Sequence, residues 1–257
     1  MSAWDKYEER IGAYGTSLKD AAHSKGVAFI NNKLVGSLSH FEVELNGVRQ
    51  DVAIIDSDNY NEKTIISAPG QDLVCGGLVH WMDNYWLLTE RDPNRTMYTR
   101  AKMIQCNYLL KWVSDDGMIH EQWCIIEDGT KYLTGEYEDR NFIVTRGDTR
   151  IAMTIAKNEH TVKLNRETRF LIDDPDSETK IAYLLTKPLK LGGSYNGQGV
   201  YKFVLQEVNS TDDDNHELGI ADYYKHFPRE ITVDHSKDPR ILPEINRTED
   251  TGRKVWL

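Results

Sequence analysis

The chain has 257 residues, 39% hydrophobic and 28% charged, with a formal net charge of -10 at pH 7 and a mean hydropathy of -0.58; that length can bury one large β core or two small ones. No apolar run approaches the roughly 18 residues of a helical membrane span, and an acidic surface disfavours general nucleic-acid binding because it repels phosphate. Cys75, Cys106 and Cys124, an odd number without CxxC spacing and without a leader segment, predict reduced, buried thiols of a protein made in a cytoplasm.

Residues 1–40 read as a helical and extended arm. Trp4, Tyr7, Ile11 and Tyr14 recur at three- and four-residue intervals among charged residues, the pattern of an amphipathic helix. Gly15 ends it, and Thr16 or Ser17 caps a second helix through Leu18, Ala21 and Ala22. Gly26 and the pair Asn31-Asn32 are expected to break that helix. An aromatic stripe on a terminal helix serves core packing or contact with a neighbouring subunit.

From Phe41 the period changes to two. Phe41, Val43 and Leu45 alternate with polar residues, and Asn46-Gly47 turns the chain into Val48–Ile55, a strong hairpin signal. A second hairpin is predicted from Leu78–Met82 through Asp83-Asn84 to Tyr85–Thr89. One long strand, bent near Cys106, is expected from Met97 to Val113, and Asp115-Asp116-Gly117 turns it into Met118–Glu127. This meander predicts a small β-barrel over residues 41–135. Further strands are predicted at Asn141–Thr145, Arg150–Ile155, Thr168–Ile172, Ile181–Leu185, Val200–Glu207 and Gly219–Tyr223. They make residues 136–227 a second β domain, sandwich-like in the immunoglobulin manner, with the boundary near Glu127–Arg140. Residues 228–257 carry Pro239, Pro243 and many charges and read as an extended C-terminal arm. Its closing Trp256-Leu257 is expected to dock on another surface. The fold class is therefore mainly β, with a helical N-terminus and two β regions.

No nucleotide-binding loop, HExxH or GxSxG motif is present, so no catalytic, cofactor-binding or metal residue is assigned. The glycine-rich run Leu191–Gly199 precedes no helix and is read as a β-turn into Val200–Phe203. His120 and Cys124 are the only close pair for zinc, and three core thiols are the preferred reading. Asp173, Asp174, Asp176 and Glu178, and Asp212, Asp213, Asp214 and Asn215, lack the spacing of a calcium loop and read as solvated turns. Glu121, Glu127, Asp128 and Glu136 lie near Trp123 and Tyr132, a mixture found in sugar clefts, but strand spacing does not set two carboxylates about a bond. Trp81, Trp86 or Trp123 would form a glycan-binding platform if exposed; aromatics in alternating strands usually face a core.

Three stretches carry a resemblance. Pro69–Val74 followed by Val79–Glu90 resembles the barrel hairpin of tailed-phage head-closure (stopper) and head–tail connector proteins, with Gln71 intervening between the Gly and the Asp. Gln105–Trp112 with Glu121–Tyr132, and Gly199–Phe203 leading to Asp212–Asn215 and Ile220–Tyr224, resemble segments of structural proteins in phages and prophages of Gram-positive bacteria. The likeness covers about residues 40–227. It implies a non-catalytic virion protein, a homo-oligomeric ring in the phage neck. A portal or adaptor would lie above and a tail terminator or tail protein below, with DNA passing through the lumen without specific binding and no cofactor or membrane involved. Minimal stoppers are little more than a barrel, so the second β domain would serve as decoration or tail docking. Capsid decoration, a tail terminator, and a glycan-binding or glycan-hydrolysing protein are the alternatives.

Overall fold

A computed structural model of the chain describes residues 2–12, 17–93, 97–128, 150–191, 193–195 and 197–228. The arm expected at 228–257 beyond Pro228, the strand Asn141–Thr145 and the expected boundary segment after Asp128 lie outside the described residues. Helix α1 spans Ala3–Gly12 and α2 spans Leu18–Val35. Ser17 caps α2, its hydroxyl accepting from the Asp20 N–H, a bond that satisfies one orphan donor of the first turn. Contrary to expectation, α2 runs through Gly26 and Asn31-Asn32 and stops at Gly36. Gly26 packs on the Met97 side chain: a Cβ there would lie 3.1 Å from the flexible methionine end, a tight contact that a small shift of that side chain relieves. A single glycine costs a helix only about 1 kcal/mol, which the eighteen-residue helix tolerates.

The alternating first half closes into a barrel. Strands β1 (His40–Leu45), β2 (Val48–Asp56), β3 (Glu62–Ser67), β4 (Leu78–Trp81), β5 (Asn84–Arg91) and β6 (Arg100–Gln105) are ordered β1-β2-β3-β6-β5-β4, with β4 pairing back onto β1. Asn46 and Gly47 both take positive φ, the turn that suits the twist of a hairpin. The β4–β5 turn lies one residue earlier than expected: Met82 and Asp83 take the positive φ values, and the Asn84 side chain donates to the Met82 carbonyl at 2.8 Å. Val43, Val52, Ile65, Leu73, Val79, Trp86, Leu88 and Met103 fill the interior.

The expected long strand is two strands that belong to different sheets. After β6 the chain passes through Cys106-Asn107 into β7 (Tyr108–Val113) and β8 (Ile119–Asp128), which pairs with β9 (Arg150–Ala156). The change of sheet thus falls between Gln105 and Tyr108, well before the 135/136 boundary expected. The second sheet continues through β10 (Arg169–Ile172), β11 (Ile181–Leu189), β12 (Ser194–Tyr195) and β13 (Gln198–Val208), in the order β10-β11-β13-β9-β8-β7, with β12 paired to β13. Where a two-sheet sandwich was expected, one sheet curls into a barrel-like body. Its end strands meet where the Tyr108 hydroxyl donates to the Leu171 carbonyl at 3.1 Å. Leu110, Trp112, Cys124, Met153, Ile155, Phe170, Leu185, Phe203 and Leu205 form its core. A 3-10 turn, η1 (Thr161–Lys163), crosses one end and buries Thr161 and Leu164 there. Gly219–Tyr223 is not a strand: Asn215 and Ile220 form an isolated bridge, and Tyr223–His226 is a short helix, α3.

Candidate assembly interface

The two barrels are joined without slack. The Cys106 N–H donates to the Tyr85 carbonyl in the first barrel at 2.8 Å, and the next amide, Asn107, donates to the Cys124 carbonyl in the second at 3.2 Å. The Asn107 side chain also exchanges two bonds with the backbone of Ile126. Around this crossover Leu87, Cys106, Ile125, Ala156 and Val200 are buried together, with Leu78, Tyr85, Ile104 and Trp123 packed against them. Tyr85 stacks on Trp123 at 4.8 Å, and the His80 ring lies 4.8 Å from that of Tyr85. At the edge of the joint a Cβ on Gly76 would fall 2.1 Å from the Gly199 carbonyl oxygen, and one on Gly199 would fall 2.0 Å from that of Gly193. The glycine-rich run is therefore a hairpin, as expected of a turn, whose glycines let backbone of one barrel lie against backbone of the other.

Two exposed apolar surfaces lie away from this joint. On the first barrel, β2 stands three places from β5 in either direction round the ring, so its outer face points away from the second barrel. There Ile55 is exposed, and the bond from the Ile54 N–H to the Ser39 carbonyl ties this strand to the segment that carries exposed Val35 and Leu38. On the second barrel, Met118, Ile119, Val162, Leu189 and Leu191 are exposed. Lys163 reaches Asp116 at 3.1 Å, and Lys190 reaches the Val162 carbonyl at 2.7 Å, ties that gather these residues about the end capped by η1. Leu38 and Leu191 are about as exposed as side chains become, at 103% and 92%. Water-facing apolar groups in clusters mark contact surfaces more often than isolated ones do.

The residues weighed for chemistry are dispersed. Cys106 and Cys124 are buried; burial pushes the Cys106 thiol up to about 12 and raises that of Cys124, and the same cause raises that of half-buried Cys75. His120 does not approach Cys124 but stacks on His160 at 4.1 Å beside Trp112. Burial is the first cause that lowers its pKa, followed by the neighbouring His160 and Lys163. Asp173 and Asp174 accept backbone N–H bonds within their own turn. Glu121 pairs with Lys111 at 3.0 Å, while Glu136 and Tyr132 lie outside the described residues. Trp86 is buried in the first barrel, Trp81 packs between it and Phe41, and Trp123 is stacked in the joint.

One constellation was not legible as a unit. Arg169 on β10 donates to both carboxylate oxygens of Asp214 at 2.9 and 2.8 Å, to Asp222 at 2.7 Å, to Thr211 at 2.9 Å and to the Asn209 carbonyl at 3.1 Å. The Asp214 side chain is fully buried, so one member of the supposed solvated cluster is the anchor of the segment 209–228. The only signal was an arginine placed in a strand; its partners stand 40 to 53 residues away.

With this geometry in view, the comparisons are informative about the first barrel. Residues 20–105 match the model of the YomX N-terminal domain. The name is a phage-type one, of a Bacillus prophage, and consistent with phage proteins. The YomX-type match takes in nearly all of α2 and the whole closed barrel and ends at Gln105, the last residue of β6. Sheet pairing and family match thus agree on where the first unit stops. No curated protein matches the chain. A solved structure described as "MrkH, A novel c-di-GMP dependence transcription regulatory factor" shares 12% identity, covers 75% of this chain and 86% of its own, and superposes at a TM-score of 0.23, too low for any inference. No helix among the described residues is long and apolar enough to cross a membrane.

Proposed function

We propose that the chain is a non-catalytic structural protein of a phage or prophage particle, and that it forms a homo-oligomeric ring in the neck, between portal or adaptor and tail. The observation that carries the reading is the YomX-type match over α2 and the closed barrel. The physical build supports it. Two barrels fixed to one another make a rigid block, and the block bears two unlike apolar surfaces on different bodies. Contact between unlike surfaces of identical copies is head-to-tail, and such contacts close into rings when the rotation per copy permits. A net charge of -10 lets a DNA duplex pass a lumen wall without adhering.

Electron microscopy of particles labelled with an antibody to this chain tests the proposal. Label at the head–tail junction is expected. Label on the capsid or the tail tube would replace the neck with decoration or tail termination, and its absence from particles would sink the structural reading altogether. The glycan-platform alternative has less support, because Trp81, Trp86 and Trp123 have ring partners within the barrel or the joint.

A further inference from the structure

Both N-terminal helices present an aromatic ridge to solvent. On α1 the rings of Trp4 and Tyr7 lie 5.4 Å apart, and the two side chains are 64% and 53% exposed. On α2 one side holds buried Leu34 and half-buried Val27 and Ile30. At about 100° per residue the opposite side carries Ala22, Lys25, Phe29 and Lys33, all exposed. Phe29 stands at the centre of that ridge, 64% exposed, with the Lys33 Nζ 5.8 Å from its ring. Trp4, Tyr7 and Phe29 are open at the same time, so the two helices of one copy do not cover each other. A close hairpin of the two would not reach either: α1 runs only about 13 Å, and Phe29 lies about 16 Å along α2. Helix α1 is also short. Ser2 caps it, its hydroxyl accepting from the Trp4 and Asp5 N–H groups at 3.2 Å, but ten residues fall below the roughly 12–15 at which an isolated helix holds in water.

The two ridges are complementary in charge as well as in kind. Helix α1 carries Asp5, Glu8 and Glu9 against Lys6 and Arg10, a net charge of -1, and α2 carries Lys19, Lys25 and Lys33 against Asp20, a net charge of +2. We propose that α1 of each copy docks on the outward ridge of α2 in the next copy, setting Trp4 and Tyr7 against Phe29 and the acidic side of α1 toward Lys25 and Lys33. The inference rests on the homo-oligomeric reading above and gives that assembly an exchanged arm. Each copy gives one helix and receives one, a head-to-tail relation that runs round a ring in the same sense as the contact between barrels. The aromatic contacts supply attraction, while the opposite charges fix which faces meet. A ten-residue helix covers far less than the roughly 1,200 Å² of a standard interface, so the exchange reinforces the barrel contact and does not replace it.

Isotope mixing tests the exchange on the full chain. Nitrogen-15-labelled and unlabelled protein are mixed dilute, concentrated, and treated with a carbodiimide that joins carboxylates to lysines in direct contact. Peptides linking α1 to Lys25 or Lys33 are expected, with mixed-isotope pairs as frequent as uniform ones. Uniform pairs alone would place α1 on α2 of its own copy and overturn the proposal, as would the absence of links between the two helices. Charge reversal gives a second reading, by sedimentation equilibrium at low salt. Glu8→Lys/Glu9→Lys and Lys25→Glu/Lys33→Glu should each weaken self-association by about tenfold or more. An equimolar mixture of the two variants should recover it, because every α1 then meets an α2 of opposite charge. Assembly indifferent to the reversals overturns the helix exchange and leaves the ring standing; a wild-type chain that stays monomeric at every concentration overturns the homo-oligomeric reading and the exchange together.

Discussion

Truncation of Arg169 to alanine should destabilise the second barrel by about 3 kcal/mol, near the lower end of the roughly 3–5 kcal/mol that breaking a buried ion pair costs. The figure follows from what remains. Asp214 keeps the N–H groups of Thr211 and Asp222, at 2.8 and 2.9 Å, but loses its cation while its side chain stays at 0% exposure. Asp222 is 24% exposed and has Lys225 at 2.8 Å, so water and lysine meet part of its loss. Urea unfolding of wild type and Arg169→Ala reads the effect as a shift in midpoint at unchanged slope. A loss below about 1 kcal/mol would refute the view that the clasp holds residues 209–228 through charge. Replacing both partners, as Arg169→Met/Asp214→Leu, should recover most of the loss, since paired removal leaves no orphaned charge. Acid has a signed effect as well. Burial alone would raise the Asp214 pKa, but the Arg169 hydrogen bond and the two backbone donors outweigh it and hold it below 3.8. The stability it contributes is complete above the ordinary aspartate value and is lost as pH falls through the depressed one. Asp214→Asn should lack that part of the acid limb.

Gly76→Ala should cost more than about 2 kcal/mol, because a Cβ meets the Gly199 carbonyl and the backbone is left-handed; a blue-to-red shift of Trp123 emission would report the opened joint, and unchanged emission would count against it. Met82→Asn should stabilise by about 0.5–1 kcal/mol, since exposed Met82 sits at φ 49 where asparagine is at ease; a lower melting temperature would show that the methionine side chain has a role in the fold. Leu38→Asp and Leu191→Asp should each stop chain growth, and a mixture of the two should yield dimers by light scattering. Full rings from either variant alone would contradict a contact between these two surfaces.

Much of the first barrel was readable because its cause is local. Alternation puts Val43, Val52 and Leu88 inside, and Asn46-Gly47 carries its own turn geometry. The strands of the second region were placed nearly as well, from Arg150 to Val208. What escaped depends on partners remote in sequence. The run Met97–Val113 shifts its alternation by one residue between Met103 and Ile104, a sign that reads as a bend, and nothing local tells that its first half pairs with β3 and β5 and its second with β8. Gly219–Tyr223 is apolar like a strand, but Ala221 packs against Leu171 and Ala182 while the backbone turns. Gly193 and Gly199 read as turn glycines; that Gly199 also lies against Gly76 of the first barrel is a property of the joint. The roles of Arg169 and Asp214 appear only when strands β10 and β13 stand in their places.

The crossover at Cys106-Asn107 has a consequence for the history of the chain. Successive amides there are committed to different bodies, and the glycines of each barrel are shaped to the other's backbone. A genetic exchange that replaced residues up to Gln105 with an unrelated module would leave Gly199, Trp123 and Ile125 facing a foreign wall, and one that added a single residue at the seam would throw both ladders out of phase. The two halves of such a chain are not freely interchangeable. The first barrel can diverge in sequence and change what it meets on its far side, but the face turned to the second barrel can vary only when both halves change together.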